Sequence, residues 1–402
     1  MKFIHTSDWQ LGMVRDYLLA EAQARFSGDR IDTIHDIGQL AHSLGADFVV
    51  VAGDIFETNY VPENLVARAL DTMADFDLPF LLVAGNHDPL NSNSVLTSHQ
   101  FRDSCPDNVC VLGLGERKEI AGVEIVSAAW TTKKPSRNPL MTVLDELEPA
   151  TKPRVVVGHG MMDVFPGDAD DPGRLALRDL EDAISEGKAS YIALGDRHIC
   201  WTSPSGAVAY SGTHESTSWR EPTPGTVLEV EITDSGSVNA VRREIGRWRH
   251  TVLSYEFFGD ETLDGFVDSL AKLRSRMRTA LDLRLTGVLS LHGKVRLNAL
   301  IDEHAEEFAA VKKNHISVAA IPDDADFGEI SDSGYMASAI AELKERALAG
   351  VDDPATDEGL SDDDSGELAK PDSPSGTGLS EDAQGAQDAL MLLYQLYQRN
   401  RT

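Results

Sequence analysis

Five short apolar runs in this 402-residue chain each end in a loop whose side chains could hold a metal ion. The loops are Ser7-Asp8-Trp9-Gln10, Gly53-Asp54, Gly85-Asn86-His87-Asp88, Gly158-His159-Gly160 and Gly195-Asp196-Arg197-His198. One such loop means little, because glycine permits positive φ and aspartate bonds its own backbone, so Gly-Asp and Gly-His are ordinary turn chemistry. Five in succession exceed what turn preference supplies. Where strands end on one sheet edge their loops converge, and ligands distant in sequence meet in one crevice. Carboxylate, imidazole and amide side chains gathered in one crevice are the donors of a metal site.

Such convergence needs buried strands, and the runs ending at Thr6, Ala52, Ala84, Gly158 and Leu194 read as strands. Between the first two, Ile31, Ile34, Ile37, Leu40, Ala41 and Leu44 recur at helical spacing, predicting a crossover helix over Asp29–Leu44. This alternation up to about residue 245 predicts a layered α/β or αββα domain. After Trp248 the pattern predicts a smaller α+β domain: a helix over Asp264–Arg278 between strands Thr251–Phe258 and Ser290–Leu297. The expected organisation is a core domain over 1–248, an α+β domain over 249–322, a helical extension over 323–350, an acidic linker over 351–385 and a terminal helix over 386–402. The linker holds eleven acids and one lysine, too polar to offset its ordering entropy, and is expected to be disordered.

Composition narrows the class. The apolar fraction of 42% and charged fraction of 25% are those of a folded globular protein. The longest strongly apolar runs, Phe48–Ala52 and Phe80–Ala84, fall far short of the roughly 18 residues a membrane helix needs. No signal-peptide core precedes the polar Thr6-Ser7-Asp8, and three cysteines without a CxxC pair point to a reducing compartment. A cytoplasmic protein without a membrane partner is expected. The net charge of −30 argues against nucleic acid as a partner, although bound cations reverse the sign locally.

The ordered set of loops resembles the calcineurin-like metallophosphoesterase superfamily, whose pattern is D-x-H, GD, GNHD, GH and GH-x-H. The opening MKFIHTSDWQLG, the Val51-Ala52-Gly53-Asp54-Ile55-Phe56-Glu57 run and Tyr210-Ser211-Gly212-Thr213-His214-Glu215 are most similar to the SbcD-type nucleases within it, over about residues 1–250. The resemblance implies a four-layer αββα core, a smaller α+β capping domain and a C-terminal helical tail. It also implies two divalent metal ions, with Asp8, Gln10, Asp54 and His198 holding the first and Asp54, Asn86, His159 and Asp196 the second. Asp54 would bridge, and His87 would act on the substrate or leaving group. The implied activity is DNA phosphodiester hydrolysis in double-strand-break repair, exonucleolytic with endonuclease activity on ends or hairpins. The implied partners are DNA, an SbcC-like SMC-type ATPase and a second copy of the chain in a homodimer.

Two positions depart from that pattern: Gln10 and Asp196 stand where the family has histidine. Both offer oxygen, which shifts the expected preference toward Mn(II) or Mg(II) and away from zinc. The alternatives are a first metal that joins only with substrate, and a degenerate site in a catalytically weak scaffold subunit of the ATPase complex. A small-molecule phosphodiesterase is the other enzymatic alternative. Asp88 is expected to tie down its turn, His214 to be a hydrogen-bonded turn residue, and Trp130, Trp219 and Trp248 to be core residues before base-stacking ones. Lys272, Arg274, Arg276, Arg278 and Arg284 would contact phosphates or form a solvated face. Leu390, Leu393, Tyr394 and Tyr397 recur at i, i+3, i+4, i+7 and would dock into a partner's groove or fold back on their own domain.

Overall fold

The five apolar runs are strands in the computed structural model, and each ends within one residue of its expected position. They are β1 (Lys2–Thr6), β2 (Phe48–Ala52), β3 (Phe80–Val83), β7 (Arg154–His159) and β8 (Tyr191–Gly195). The structure describes residues 1–168, 171–221, 223–233, 236–321, 335–348 and 381–399. The chain divides into two units, Met1–His250 and Thr251–Thr402.

In the first unit β4 (Val109–Leu112), β11 (Thr226–Ile232) and β12 (Val238–Glu244) complete a sheet ordered β12-β11-β1-β2-β3-β4. A second sheet, ordered β5-β6-β7-β8-β10-β9, adds β5 (Arg117–Ile120), β6 (Val123–Ser127), β9 (Trp201–Thr202) and β10 (Val208–Tyr210). The central strands of both sheets run parallel, so their carboxyl ends share an edge. Strands buried on both faces read as continuous apolar runs, and β2 is buried throughout.

Side-chain alternation settles the layers. Val155, Val157, Tyr191 and Ala193 pack in one core with Phe3, Val49 and Val51 of the first sheet. Their neighbours Val156, Ile192 and Leu194 face α4 (Pro139–Glu146) and α5 (Leu177–Ser185), meeting Leu140, Leu144 and Leu180. Ile31, Ile34 and Ile37 of α1 (Ala20–Leu44), with Val66 and Leu70 of α2 (Glu63–Ala74) and Phe101 of α3 (His99–Ser104), join the core of the first sheet. The result is the expected four-layer αββα core. Helix α1 begins nine residues before the predicted Asp29, because the Ala20–Arg25 stretch is helix-forming by propensity without an apolar stripe to announce it.

The second unit departs more from expectation. Its sheet runs β13 (Arg249–Phe258), β14 (Thr279–Ser290), β15 (Ala310–Ile321). The segment predicted as a strand over Ser290–Leu297 is instead the start of helix α7 (Leu291–Ala305), capped by Ser290, whose hydroxyl accepts from the Gly293 N–H. The helix expected over Asp264–Arg278 stops early: α6 spans Leu263–Ala271, and Ser275 at φ 54° breaks the continuation. Phe257, Phe266, Leu281, Leu285, Leu297 and Ile301 form the core.

Helix α8 (Tyr335–Leu348) falls where a helix was expected, and α9 spans Glu381–Arg399. Leu390 and Tyr394 of α9 are buried against Leu291, Ala320, Ile340 and Ala347 of the same unit. Of the two alternatives left open for this stripe, Leu390 and Tyr394 therefore pack in cis. The side chain of Tyr397 and the acidic segment 351–380 lie outside the described residues. No described helix is long and apolar enough to cross a membrane.

Candidate metal centre

The loops after β1 and β2 are zipped together by their backbones: the Asp8 N–H donates to Gly53 O at 3.1 Å, Gln10 to Asp54 O at 2.8 Å and Leu11 to Ile55 O at 2.9 Å. This register forces Asp8 (φ 53°), Gln10 (φ 39°) and Asp54 (φ 54°) into the left-handed region, and Asp196 stands at φ 102°. Such residues cost about 1–3 kcal/mol each and persist where the surroundings over-determine them. The surroundings here are a fully buried two-sheet core. Gly53 is required twice over, by φ 92° and because a Cβ would stand 2.1 Å from His159 Nδ1. At Gly85 a Cβ would stand 2.1 Å from Asp54 Oδ1.

On this frame ligand atoms of Asp8, Asp54 and His159 come within 4.8 Å of one another, all three residues buried. His159 Nδ1 lies 2.9 Å from Ala52 O, an obligate acceptor, so Nδ1 carries the proton and Nε2 faces the cluster. There Nε2 meets Asn86 Oδ1 at 2.8 Å, Asp54 Oδ2 at 3.4 Å and Asp196 Oδ1 at 3.9 Å. Two acceptors 2.8 Å apart need a proton or a cation between them. Asp8 accepts from Ser7 Oγ at 2.6 Å and from the Asp196 N–H at 3.0 Å.

Gln10 and His198 touch none of these side chains among the described contacts, yet both are prepared. Gln10 is 5% exposed, and its Oε1 is buried without a partner, as is Asp196 Oδ2. Orphaned buried acceptors beside buried carboxylates are what a hard cation satisfies. His198 directs Nδ1 at Glu221 Oε1, 3.0 Å away. His87 lies at the rim, its N–H on Asp54 Oδ1 at 3.0 Å and its Nδ1 on Glu57 O at 2.9 Å.

The electrostatics carry the mark of a cation site. Burial pushes Asp54 up, but His159 and the His87 N–H outweigh it and hold the carboxyl at about 2. Burial pushes Asp196 up to about 6 against His159, with Asp8 and Asp54 adding to the push. Burial would lower His159, but Asp54, Asp8 and Asp196 hold it well above the usual imidazole range. The donor set therefore collects protons to offset its own charge, and divalent cations fit in their place. When two are bound, Asp8, Gln10, Asp54 and His198 would hold one and Asp54, Asn86, His159 and Asp196 the other.

The remaining residues are supports. Asp88 accepts from the Gly85, Ile55 and Phe56 N–H groups and ties down its turn. His214 is buried, its Nε2 on Arg30 O at 2.8 Å. Trp130 and Asn138 both donate to His159 O, at 2.9 and 3.0 Å. Trp248 is buried on Asp29, Trp219 packs between Tyr17 and His250, and Arg197 stacks 4.5 Å over Phe165. Sequence reasoning missed Glu221, Asn138 and Arg30, whose guanidinium reaches Trp9 O at 3.0 Å through Nε. Only Asn138 carried a signal, as the Asn-Pro start of α4. In the second unit Arg276 and Arg284 of the basic cluster are paired with Glu307 and Asp282.

A profile described as calcineurin-like phosphoesterase matches residues 1–200. The DNA double-strand break repair protein Mre11 of Saccharolobus solfataricus is 25% identical over 205 residues, 50% of each chain. Mre11 of Archaeoglobus fulgidus is 29% identical over 242 residues, covering 55% of this chain and 52% of that one. The SbcD component of the SbcCD nuclease of Staphylococcus saprophyticus is 31% identical over 93 residues, 22% and 23% of the two chains. This chain thus spans about half the length of the Mre11 relatives it matches. The matched stretch contains every candidate ligand from Asp8 to His198, and residues 1–200 form a calcineurin-like phosphoesterase domain.

Proposed function

We propose that the chain is a two-metal-dependent DNA nuclease, an exonuclease with endonuclease activity on ends or hairpins, that works as a homodimer with an SMC-type ATPase in double-strand-break repair. The convergence of Asp8, Asp54 and His159 within 4.8 Å from strand ends of two sheets carries the reading, and the relatives named as nucleases support its substrate. When bound, the cations would polarise the phosphodiester and lower the pKa of the attacking water. Asp54, presented by its left-handed turn, would be shared by the two cations. His87, anchored through Nδ1 on Glu57 O, would stabilise the charge developing in the transition state or protonate the leaving oxygen. The oxygen donors at Gln10 and Asp196 favour Mn(II) or Mg(II) over zinc. Leu392 and Leu396, exposed on α9, remain available to the ATPase.

A second reading has one observation in its favour. A cavity of about 500 Å³ lined by Asn86, Asp196, Trp130, Lys133 and Lys134 opens beside the ligands, a size that suits a small phosphodiester. Metal-stripped protein assayed on end-labelled linear duplex DNA and on bis-p-nitrophenyl phosphate, with Mn(II), Mg(II) or Zn(II), separates the two. The nuclease reading expects DNA degradation highest in Mn(II) and lost in Asp54→Ala and His87→Ala. Hydrolysis of the small ester alone, with the ATPase present, would favour the second, and turnover of neither would leave a scaffold.

A further inference from the structure

His198 is the candidate ligand with the least direct tie to the cluster, and its orientation is set by a loop to which no role is assigned. Its Nδ1 lies 3.0 Å from Glu221 Oε1 and 2.9 Å from Thr217 Oγ1. The Thr217 hydroxyl also donates to Glu221, and the Thr217 N–H donates to Glu221 Oε2 at 2.5 Å. An ionised carboxylate only accepts, so the His198 proton sits on Nδ1 and the Nε2 lone pair is left for a cation. Glu221 is buried, and a carboxylate behind a ligating imidazole fixes its tautomer and ring plane.

The same loop is pinned at its other end. The Tyr17 hydroxyl donates to Thr217 O at 3.2 Å and lies 2.6 Å from His250 Nε2. Ser216 Oγ lies 2.8 Å from His250 Nδ1. One proton order satisfies all three contacts: Ser216 donates to Nδ1, Nε2–H donates to Tyr17, and Tyr17 donates to Thr217. His250 is the last residue of the first unit, and Tyr17 follows the loop that carries Asp8 and Gln10.

We propose that Glu221 is the positioning residue for His198, and that the Ser216–Glu221 loop links the point where the chain leaves the first unit to occupancy of the first cation site. This rests on the reading of His198 as a ligand. A shift at His250 moves Ser216 and Thr217, and with them the carboxylate that aims Nε2.

The test is Mn(II) binding to metal-stripped full-length protein, followed by electron paramagnetic resonance, with imidazole nitrogen NMR of the metal-free protein. His198→Ala should lose one class of bound Mn(II). Glu221→Ala should weaken that same class about 10–100-fold, leave the other class unchanged, and release His198 from its Nδ1–H tautomer. Glu221→Gln, which keeps one acceptor oxygen, should recover part of the loss. Tyr17→Phe and His250→Ala should weaken the class a few-fold without touching His198. If Glu221→Ala does not fold, Glu221→Gln and Tyr17→Phe carry the test. Unchanged binding in His198→Ala overturns the ligand reading itself. Loss in His198→Ala with wild-type binding and tautomer in Glu221→Ala overturns the positioning role. An effect of Glu221→Ala without any in Tyr17→Phe or His250→Ala overturns the link to the chain exit.

Discussion

The two units use their sheets differently. In the first, parallel strands buried on both faces hold four non-glycine residues in the left-handed region at their carboxyl ends: Asp8, Gln10, Asp54 and Asp196. In the second, a three-stranded sheet exposes alternate residues of β13, and Ser275 is the one described non-glycine residue at positive φ. Charged side chains differ in the same way. Asp8, Asp54 and His159 of the first unit's ligand loops are buried side by side, whereas Arg276 and Arg296 of the second pair with Glu307 and Asp264 at its surface. Strain and like-charge crowding accumulate where a large core can hold them, and the smaller unit carries little of either.

Substitutions can break that contrast. The largest expected effect is on chemistry: Asp54→Asn keeps a residue that tolerates the left-handed turn but removes a buried charge. It should lower phosphodiester hydrolysis on the order of 10³-fold. Thermal unfolding of the metal-free protein should shift modestly downward, because His159 and the His87 N–H stabilise the ionised Asp54 carboxylate; hydrolysis within tenfold of the wild type would show the aspartate to be structural and not catalytic.

A core cut in the second unit should do the reverse. Leu285→Ala should cost about 3 kcal/mol, lowering the melting transition of residues 251–402, while hydrolysis of a small phosphodiester stays within twofold. Loss of that hydrolysis would show that the site depends on the second unit's fold.

The effect that is smallest at neutral pH appears on acidification. His5 bridges the two sheets through Tyr191 Oη and Leu194 O, and burial lowers it to about 3. The unfolded chain binds a proton at about 6.5, so His5 leaves stability intact above that pH. On acidification toward 3 it lowers stability by about 1.4 kcal/mol per pH unit. His5→Gln should flatten the urea-unfolding free energy over that window, and an unchanged slope would assign it to other groups.

The contrast also explains what was legible in the sequence. Strand ends at Thr6, Ala52, Val83, His159 and Gly195, with their ligand loops, were readable because buried parallel strands are continuous apolar runs punctuated by glycine. The second unit was harder. In 288–297 the apolar Val288, Leu289, Leu291, Val295 and Leu297 fit a strand and a helix period about equally, and only the Ser290 cap shows that the latter part is helix. Ser275 ends α6 through a backbone conformation that its residue type does not announce. The apolar stripe of α9 was visible, but its destination depends on Ile340 and Ala347 some fifty residues earlier. Glu221, Arg30 and Asn138 serve the site through contacts made only once the fold exists, so no spacing rule points to them.

The strand-end loops of the first unit are proposed to form a site for two divalent cations. Equilibrium Mn(II) binding to metal-stripped protein tests it most directly, with free and bound ion counted by electron paramagnetic resonance. Two ions per chain in the wild type, and none or one in Asp54→Ala, are the predicted result. Binding that is absent in the wild type, or unchanged when Asp54 is removed, would contradict it.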